Sequence, residues 1–241
     1  MTVYGTQLGR TFTDHPYGVG SIFIIDPLYT LPLLLGLGLT LSGARNRPGW
    51  NHVGLLLSSV YLAWGVAAQQ QVRDDAEIAL REQGIAPEHL LVSPTPFNSL
   101  LWRIVAVDGG HYHEAYRSLL DPAGSPLTFD RFDRGQPLRE ALRGHDPVDR
   151  LAAFSKGFHA LQAVQGGVRI SDLRMGQAPV YFFAFEVARI TDAGLQPTPP
   201  RAIGGRAPAG MLQHWLWPRI RGRTLESGSQ WLRRAHPVLF E

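Results

Sequence analysis

Apolar and polar positions are segregated along this chain. Residues 20–68 are strongly apolar, whereas residues 69–241 mix the two kinds as globular sequences do. The first apolar run, Ser21–Ser42, reads SIFIIDPLYTLPLLLGLGLTLS and holds one acid, Asp26. Roughly 20 apolar residues are enough to cross a bilayer core of about 30 Å. Asp-Pro suits a helix start, because Asp accepts hydrogen bonds from the free N–H groups and Pro needs no donor in the first turn. A helix is therefore predicted from Asp26–Pro27, with a kink at Pro32. Gly36 and Gly38 allow another helix to approach closely. After the turn Gly43–Gly49, Val53–Ala68 (VGLLLSSVYLAWGVAA) forms a second apolar segment. Trp50, Asn51 and His52 extend it into an interface, and Trp64 suits an interfacial belt. The two segments read as a membrane helical hairpin over residues 21–69, preceded by a polar stub over 1–20.

Past Ala68 the pattern changes. Gln69–Gln83 continues as a helix, and Gly84 suits its C-terminal stop. From Leu90 the chain reads as short strands. Asp108-Gly109-Gly110 is a hairpin turn between LLWRIVAV and HYHEAY, and Gly166-Gly167 marks a second hairpin. Phe129 and Phe132 fit a looser strand. Val148–His159 has helical spacing of Leu151, Phe154, Ser155 and Phe158. Val180–Ile190 is the most strand-like stretch of the chain. Residues 70–195 thus predict a small α+β soluble domain built on antiparallel hairpins. Residues 196–241 read as a Pro/Gly linker followed by an Arg- and Trp-rich tail, interfacial or poorly ordered.

Charge changes the picture little. The net charge is +3, the basic residues are almost all arginine with Lys156 the sole lysine, and they are scattered. A nucleic-acid binder concentrates them on one face, so no nucleic-acid partner is expected. The chain has no cysteine, which excludes disulfides, thiolate chemistry and any Cys-bearing zinc site. Arg45 and Arg47 in the short connection orient it toward the cytoplasm by the positive-inside rule, which places the soluble domain outside.

Candidate chemistry is sparse. An ionisable group at membrane depth is costly and often functional, so Asp26 is either a cap or a working carboxylate. His111 and His113 fall on one face of a strand as a weak metal pair, or as a polar hairpin flank. Arg103, Asp172 and Arg174 are candidates for an anion site or for structural pairing. Ser155 near His159 hints at nucleophilic chemistry, but a helix end with a Gly stop explains the same residues. His15, His52 and His89 are isolated and read as surface or interfacial.

Two N-terminal motifs carry a more specific signal. Thr2-Val3-Tyr4-Gly5-Thr6-Gln7, followed by Ser21-Ile22-Phe23-Ile24-Ile25-Asp26-Pro27-Leu28-Tyr29-Thr30-Leu31-Pro32, resembles the YdjM-like family of bacterial inner-membrane metal-dependent hydrolases, also described as LexA-binding. The similarity extends through Ser93–Asn98, Leu101–Arg103, Tyr116–Asp121, Phe154–Phe158 and Asp172–Gly176, and covers most of residues 2–190. It implies a multi-pass protein of the bacterial inner membrane. It also implies a divalent metal, zinc by expectation, held by His-bearing membrane segments that precede the Tyr-Gly-Thr-Gln motif. This chain begins inside that motif and is expected to be a C-terminal piece without those ligands. On the resemblance, Tyr4 and Gln7 lie just past the metal ligands. Asp26 then orients a ligand His, a role compatible with capping.

The sequence thus leads to a membrane-bound metal-dependent hydrolase of unknown substrate. A complete member would use a metal-activated water at the membrane face. The alternative is a non-enzymatic, membrane-anchored binding or assembly module. The lipid bilayer is the one partner expected under both, and a protein partner is unknown.

Overall fold

The computed structural model describes residues 3–5, 18–42 and 47–240. Arg45, from which orientation was argued, lies outside them. The chain divides into two compact units. The first comprises Met1–Ile78, Val92–Arg103 and Arg117–Leu120; the second comprises Ala79–Leu91, Ile104–Tyr116 and Asp121–Glu241.

The first unit is built on two helices. α1 spans Pro27–Leu41 and starts as its sequence predicts: Asp26 is the N-cap, and its Oδ1 accepts from the Leu28 N–H at 3.0 Å. Pro32 lies inside the helix, which continues past it to Leu41. α2 spans Arg47–Glu82, so the second apolar segment and the following polar helix form one element. It ends at Gly84, whose φ of +69° reverses the chain while Ile85 N–H reaches back to Leu80 O.

α2 changes character along its length. Its buried stripe runs Gly54, Ser58, Gly65, Ala68, Gln69, Val72 and Ala76, spaced to one helix face. Between residues 49 and 68 most of the large residues away from that stripe are apolar, with Leu55, Leu56, Leu57, Val60, Trp64 and Val66 all exposed. Beyond residue 69 the exposed positions become mostly polar, with Gln70, Gln71, Asp74 and Glu77 beside an exposed Ile78. The first part therefore buries small residues and exposes large apolar ones, the reverse of a helix packed in a water-soluble core. Residues 49–68 run about 30 Å at 1.5 Å per residue, one bilayer core.

Among the described residues one helix, Gly49–Glu82, is long and apolar enough to cross a membrane, while Pro27–Leu41 falls among shorter apolar helices. At 15 residues, α1 covers about 22 Å by itself. The two helices pack antiparallel. A Cβ on Gly54 would stand 2.5 Å from Pro32 O, and one on Gly36 would stand 2.7 Å from Trp50 O. Ser58 Oγ donates to Tyr29 O at 2.9 Å. Gly38, read from sequence as equivalent to Gly36, faces open space.

After α2, antiparallel sheet replaces helix. β1 (His89–Pro94), β2 (Leu101–Asp108), β3 (His111–Ser118) and β4 (Asp130–Asp133) form one sheet in that order. The β2–β3 hairpin turns at Gly109-Gly110, and Asp108 Oδ1 closes it by accepting from the His111 N–H at 3.0 Å. Short helices α3 (Gln136–Ala141) and α4 (Asp146–Phe154) follow. The second sheet, in the order β10-β9-β6-β5, is made of β5 (His159–Val164), β6 (Gly167–Asp172), β9 (Ala184–Thr191) and β10 (Gly194–Ala202). Its β5–β6 turn places Gln165 and Gly166 at φ +49° and +77°, the left-handed pair that a two-residue hairpin needs. β7 (Gly176–Gln177) and β8 (Val180–Tyr181) form a small separate ladder.

Three expectations need correction. The helix expected over Val148–His159 stops at Phe154. Lys156 and Gly157 take positive φ, and His159 opens a strand. The strand expected over Val180–Ile190 breaks at Phe182-Phe183, where the chain passes from the β7–β8 ladder to the larger sheet. The Pro-rich stretch from Gln196 is not a linker: up to Ala202 it belongs to β10, an edge strand paired with β9. Pro is tolerated there because an edge strand need not donate on its outer side, and the register shifts between Pro197 and Arg201. The C-terminal residues are likewise folded. A π-helical turn Leu212–Leu216 runs into α5 (Trp217–Ile220), and α6 (Gly228–Ala235) carries a full Ser227/Gln230 capping box. Trp215, Trp231 and Leu232 are buried.

Two apolar clusters hold the second unit. One gathers Val105, Val107, Tyr112, Leu173 and Tyr181; the other packs Leu142 and Val148 against Val168, Ile170 and Val187.

Candidate functional site

Asp26 is 3% exposed, and both carboxylate oxygens are engaged: Oδ1 by the Leu28 N–H, Oδ2 by the Tyr61 hydroxyl at 2.7 Å. Tyr61 lies one turn along α2 from Ser58, so the carboxylate both caps α1 and joins it to α2. The sequence did not single out Tyr61. Tyr4 is half-buried, and Gln7 lies outside the described residues. Gln69 was also missed. Its amide donates to Val19 O at 2.9 Å and Val92 O at 2.8 Å, tying the segment before α1 and strand β1 to α2.

His111 and His113 share a strand face, as their spacing predicts. His113 is buried, with Nε2 2.9 Å from Asp108 Oδ2. His111 is half-exposed, and Arg131 Nη2 lies 3.1 and 3.0 Å from its two ring nitrogens. A guanidinium at that position opposes a dication. Partial burial works against ionisation of Asp108, but the hydrogen bonds from His113 and the His111 N–H outweigh it and hold the carboxyl below its usual range.

Asp172 and Arg174 form a buried, two-pronged ion pair. Nη2 meets Oδ2 at 2.7 Å and Nε meets Oδ1 at 3.0 Å, while the Arg174 N–H donates to the same Oδ1 at 2.9 Å. The Arg174 guanidinium also lies over the Phe154 ring, 4.8 Å from its centroid. This is a saturated structural pair, with no open coordination for an anion. Arg103 is buried and belongs to the first unit, whereas Asp172 and Arg174 belong to the second.

Ser155 and His159 come together through the turn that ends α4. Ser155 Oγ donates to Ala152 O at 2.9 Å and lies 3.1 Å from His159 Nδ1. Burial, then the charges of Arg134, Arg139 and His89, push the His159 pKa down to about 4. With the Ser155 hydroxyl donating to Ala152 O rather than to the ring, and an imidazole that resists protonation beside it, the pair reads as structural. Arg134 braces the same turn, donating to His159 O at 3.1 Å and Gly157 O at 2.7 Å.

This arrangement makes stability pH-dependent. The His159 pKa is about 4 folded against 6.5 in the ordinary imidazole. The unfolded chain therefore binds more protons between those values, and stability falls as pH drops through that window. At 1.36 kcal/mol per unit the loss is about 3 kcal/mol. Urea unfolding of the detergent-solubilised chain at pH 7.5 and pH 4.5 measures it. His159→Gln is expected to remove most of that difference, and equal pH dependence in both proteins would refute the assignment.

The motif residues that carry the family resemblance are largely accounted for by local structure. Asn98 Oδ1 accepts from the Leu100 and Leu101 N–H groups at 2.9 and 2.7 Å, and its amide donates to Thr95 Oγ1 at 2.8 Å. It thereby knits the Ser93–Asn98 loop. Asp121 pairs with Arg219, a fully buried residue the sequence reading overlooked. Among the described residues no group of three or more His, Cys, Asp or Glu gathers to hold a metal. These side chains alone do not fit the metal that the resemblance implies. The chain matches no protein-family model, no curated protein and no solved structure.

Proposed function

We propose that this chain is a membrane-anchored module: a two-helix hairpin, α1 and α2, crosses the bilayer twice and carries an α+β domain outside the cytoplasm. The observation that supports it best is the apolar surface of the helix pair. Leu34, Leu35 and Leu37 on α1, with Leu56, Leu57 and Val60 on α2, are each at least 50% exposed. In water such a surface is an aggregation hazard; in lipid it is solvated. Residues 21–25 before α1 are apolar apart from Ser21, and they add the length that α1 lacks alone.

Within this reading the chain is part of a membrane-bound metal-dependent hydrolase of the inner membrane, a proposal that rests on the motif resemblance. Asp26 is then a positioning residue for a ligand His on segments that the resemblance sets before Tyr4. The second reading is a non-enzymatic anchored module. It is favoured by the in-chain engagement of Asp26 and His113, which leaves both without an evident metal-binding role.

The absence of cysteine makes topology directly measurable. Single substitutions Val19→Cys, Ser42→Cys and Asp192→Cys place one thiol before α1, between the helices and in the β9–β10 turn. In intact cells a membrane-impermeant maleimide is expected to label positions 19 and 192 but not 42, and to reach 42 only after lysis. Release of the chain by alkaline carbonate, or labelling of 19 and 42 from the same side, would overturn the hairpin. Zinc content of the natural protein purified from those membranes separates the two functions: bound zinc supports the hydrolase, and a metal-free protein leaves the anchored module.

A further inference from the structure

The second unit contains a cleft of about 420 Å³, within the range of small-molecule sites. Its walls are mixed, and the apolar part includes Tyr112, Phe132 and Pro179. One cation lines it: Arg169, on β6. Its Nη2 donates to Gln162 Oε1 at 2.5 Å, but its Nε is buried and has no hydrogen-bond partner. No carboxylate among the described residues forms an ion pair with it. Glu186, its register partner on β9, is drawn away by Arg201 and Arg189. Burial pushes the Arg169 guanidinium below its ordinary pKa. Two buried arginines, by contrast, meet carboxylates directly, Arg174 with Asp172 and Arg219 with Asp121. A partly desolvated guanidinium held by one neutral amide leaves a charge to be matched.

We propose that this cleft binds a small organic monoanion, a carboxylate carried on an apolar or aromatic body. Arg169 lines the cleft without a carboxylate partner among the described residues, and a planar guanidinium suits a carboxylate. Phe132 stacks on Tyr112 with ring centroids 5.1 Å apart, giving the body of the ligand a flat aromatic wall. A single negative charge is favoured over a dianion for two reasons. Arg169 is the one cation on the lining, and Asp133 also lines the cleft with its own negative charge. Asp133 is not the missing partner, because its Oδ1 accepts from the Gly135 N–H at 2.6 Å. The site lies wholly within the second unit and does not depend on the hydrolase reading.

The test uses the full chain in detergent micelles, with 4-fluorobenzoate as probe and 4-fluorobenzamide as its neutral counterpart, observed by ¹⁹F NMR. Saturable broadening of the benzoate above an empty-micelle control is expected, with the benzamide at least tenfold weaker. Arg169→Gln is expected to weaken the benzoate at least tenfold, and Arg169→Lys to retain part of its binding. Ala163→Trp, at an exposed position of the lining, is expected to block the cleft and covers the case in which Arg169→Gln fails to fold. Equal binding of both probes, undiminished benzoate binding in Arg169→Gln or Ala163→Trp, or no saturable binding at all would each overturn the proposal.

Discussion

Asp121→Ala is expected to destabilise the second unit by about 3–5 kcal/mol, the cost of stranding a buried charge. Arg219 is 1% exposed. Its guanidinium donates to both Asp121 carboxylate oxygens, one of them at 2.9 Å, and to Tyr116 O at 2.6 Å. Removing the carboxylate leaves the cation with one backbone oxygen in a site closed to water. Removing both charges is a different case. Asp121→Leu with Arg219→Met loses the attraction but also the desolvation cost, so the double variant is expected to recover most of the stability. Trp215 reports on the event, since its ring meets Tyr116 edge-on at 4.9 Å and its Nε1 donates to Glu226 O at 2.9 Å. Urea titration followed by tryptophan fluorescence, for the wild type, both single variants and the double, gives the cycle. A loss below about 1 kcal/mol in Asp121→Ala, or a double variant as weak as the single, would show that the pair does not hold the C-terminal helices in this way.

That pair also illustrates what the sequence could and could not reveal. Asp121 and Arg219 are 98 positions apart, and no local pattern links them; Arg219 sat in the Arg- and Trp-rich stretch that read as a tail. The features that were legible are those fixed by neighbouring residues. Asp26-Pro27 specified its own cap, Gly84 its helix stop, and Asp108-Gly109-Gly110 its hairpin. The order of apolar helices followed by antiparallel strands came through because helix and strand periods differ. Errors arose where a local preference was overridden from outside. Pro197, Pro199 and Pro200 argue against a strand, yet β9 offers them an edge where the missing donors matter little. Phe154 and Phe158 share a helical spacing, but left-handed Lys156 and Gly157 part them. The candidate sites fared similarly. The Asp172–Arg174 pairing is local and was one of the two readings the sequence offered, whereas the engagement of Asp26 by Tyr61 and the placing of Arg169 on the lining of a cleft depend on tertiary approach.

Gly36 and Gly38 show the same limit within two residues, and they set up the second large effect. Gly54→Leu is expected to break the α1–α2 pair, whereas Gly38→Leu is expected to be tolerated. At Gly54 an added Cβ meets backbone, Pro32 O at 2.5 Å, which cannot swing aside as a flexible side chain can. Relief requires the helices to separate. Separation draws Ser58 Oγ from Tyr29 O and the Tyr61 hydroxyl from Asp26. Overpacking costs about 1–3 kcal/mol. Interhelical hydrogen bonds between membrane helices add about 0.6 kcal/mol each, so the sum approaches about 4 kcal/mol. Even Gly54→Ala is expected to lower stability, because the clash begins at Cβ. At Gly38 no atom stands within 4 Å of an added Cβ, and a leucine there joins an already exposed apolar surface. The measurement is an SDS titration of the protein folded in mild-detergent micelles. The unfolding midpoint is expected to fall in the order wild type, Gly54→Ala, Gly54→Leu, with Gly38→Leu beside the wild type. Equal sensitivity at 38 and 54 would mean that the helices do not meet along the Gly54–Ser58–Tyr61–Gly65 stripe. The apolar surface that supports membrane anchoring would then no longer be the outer face of a packed pair.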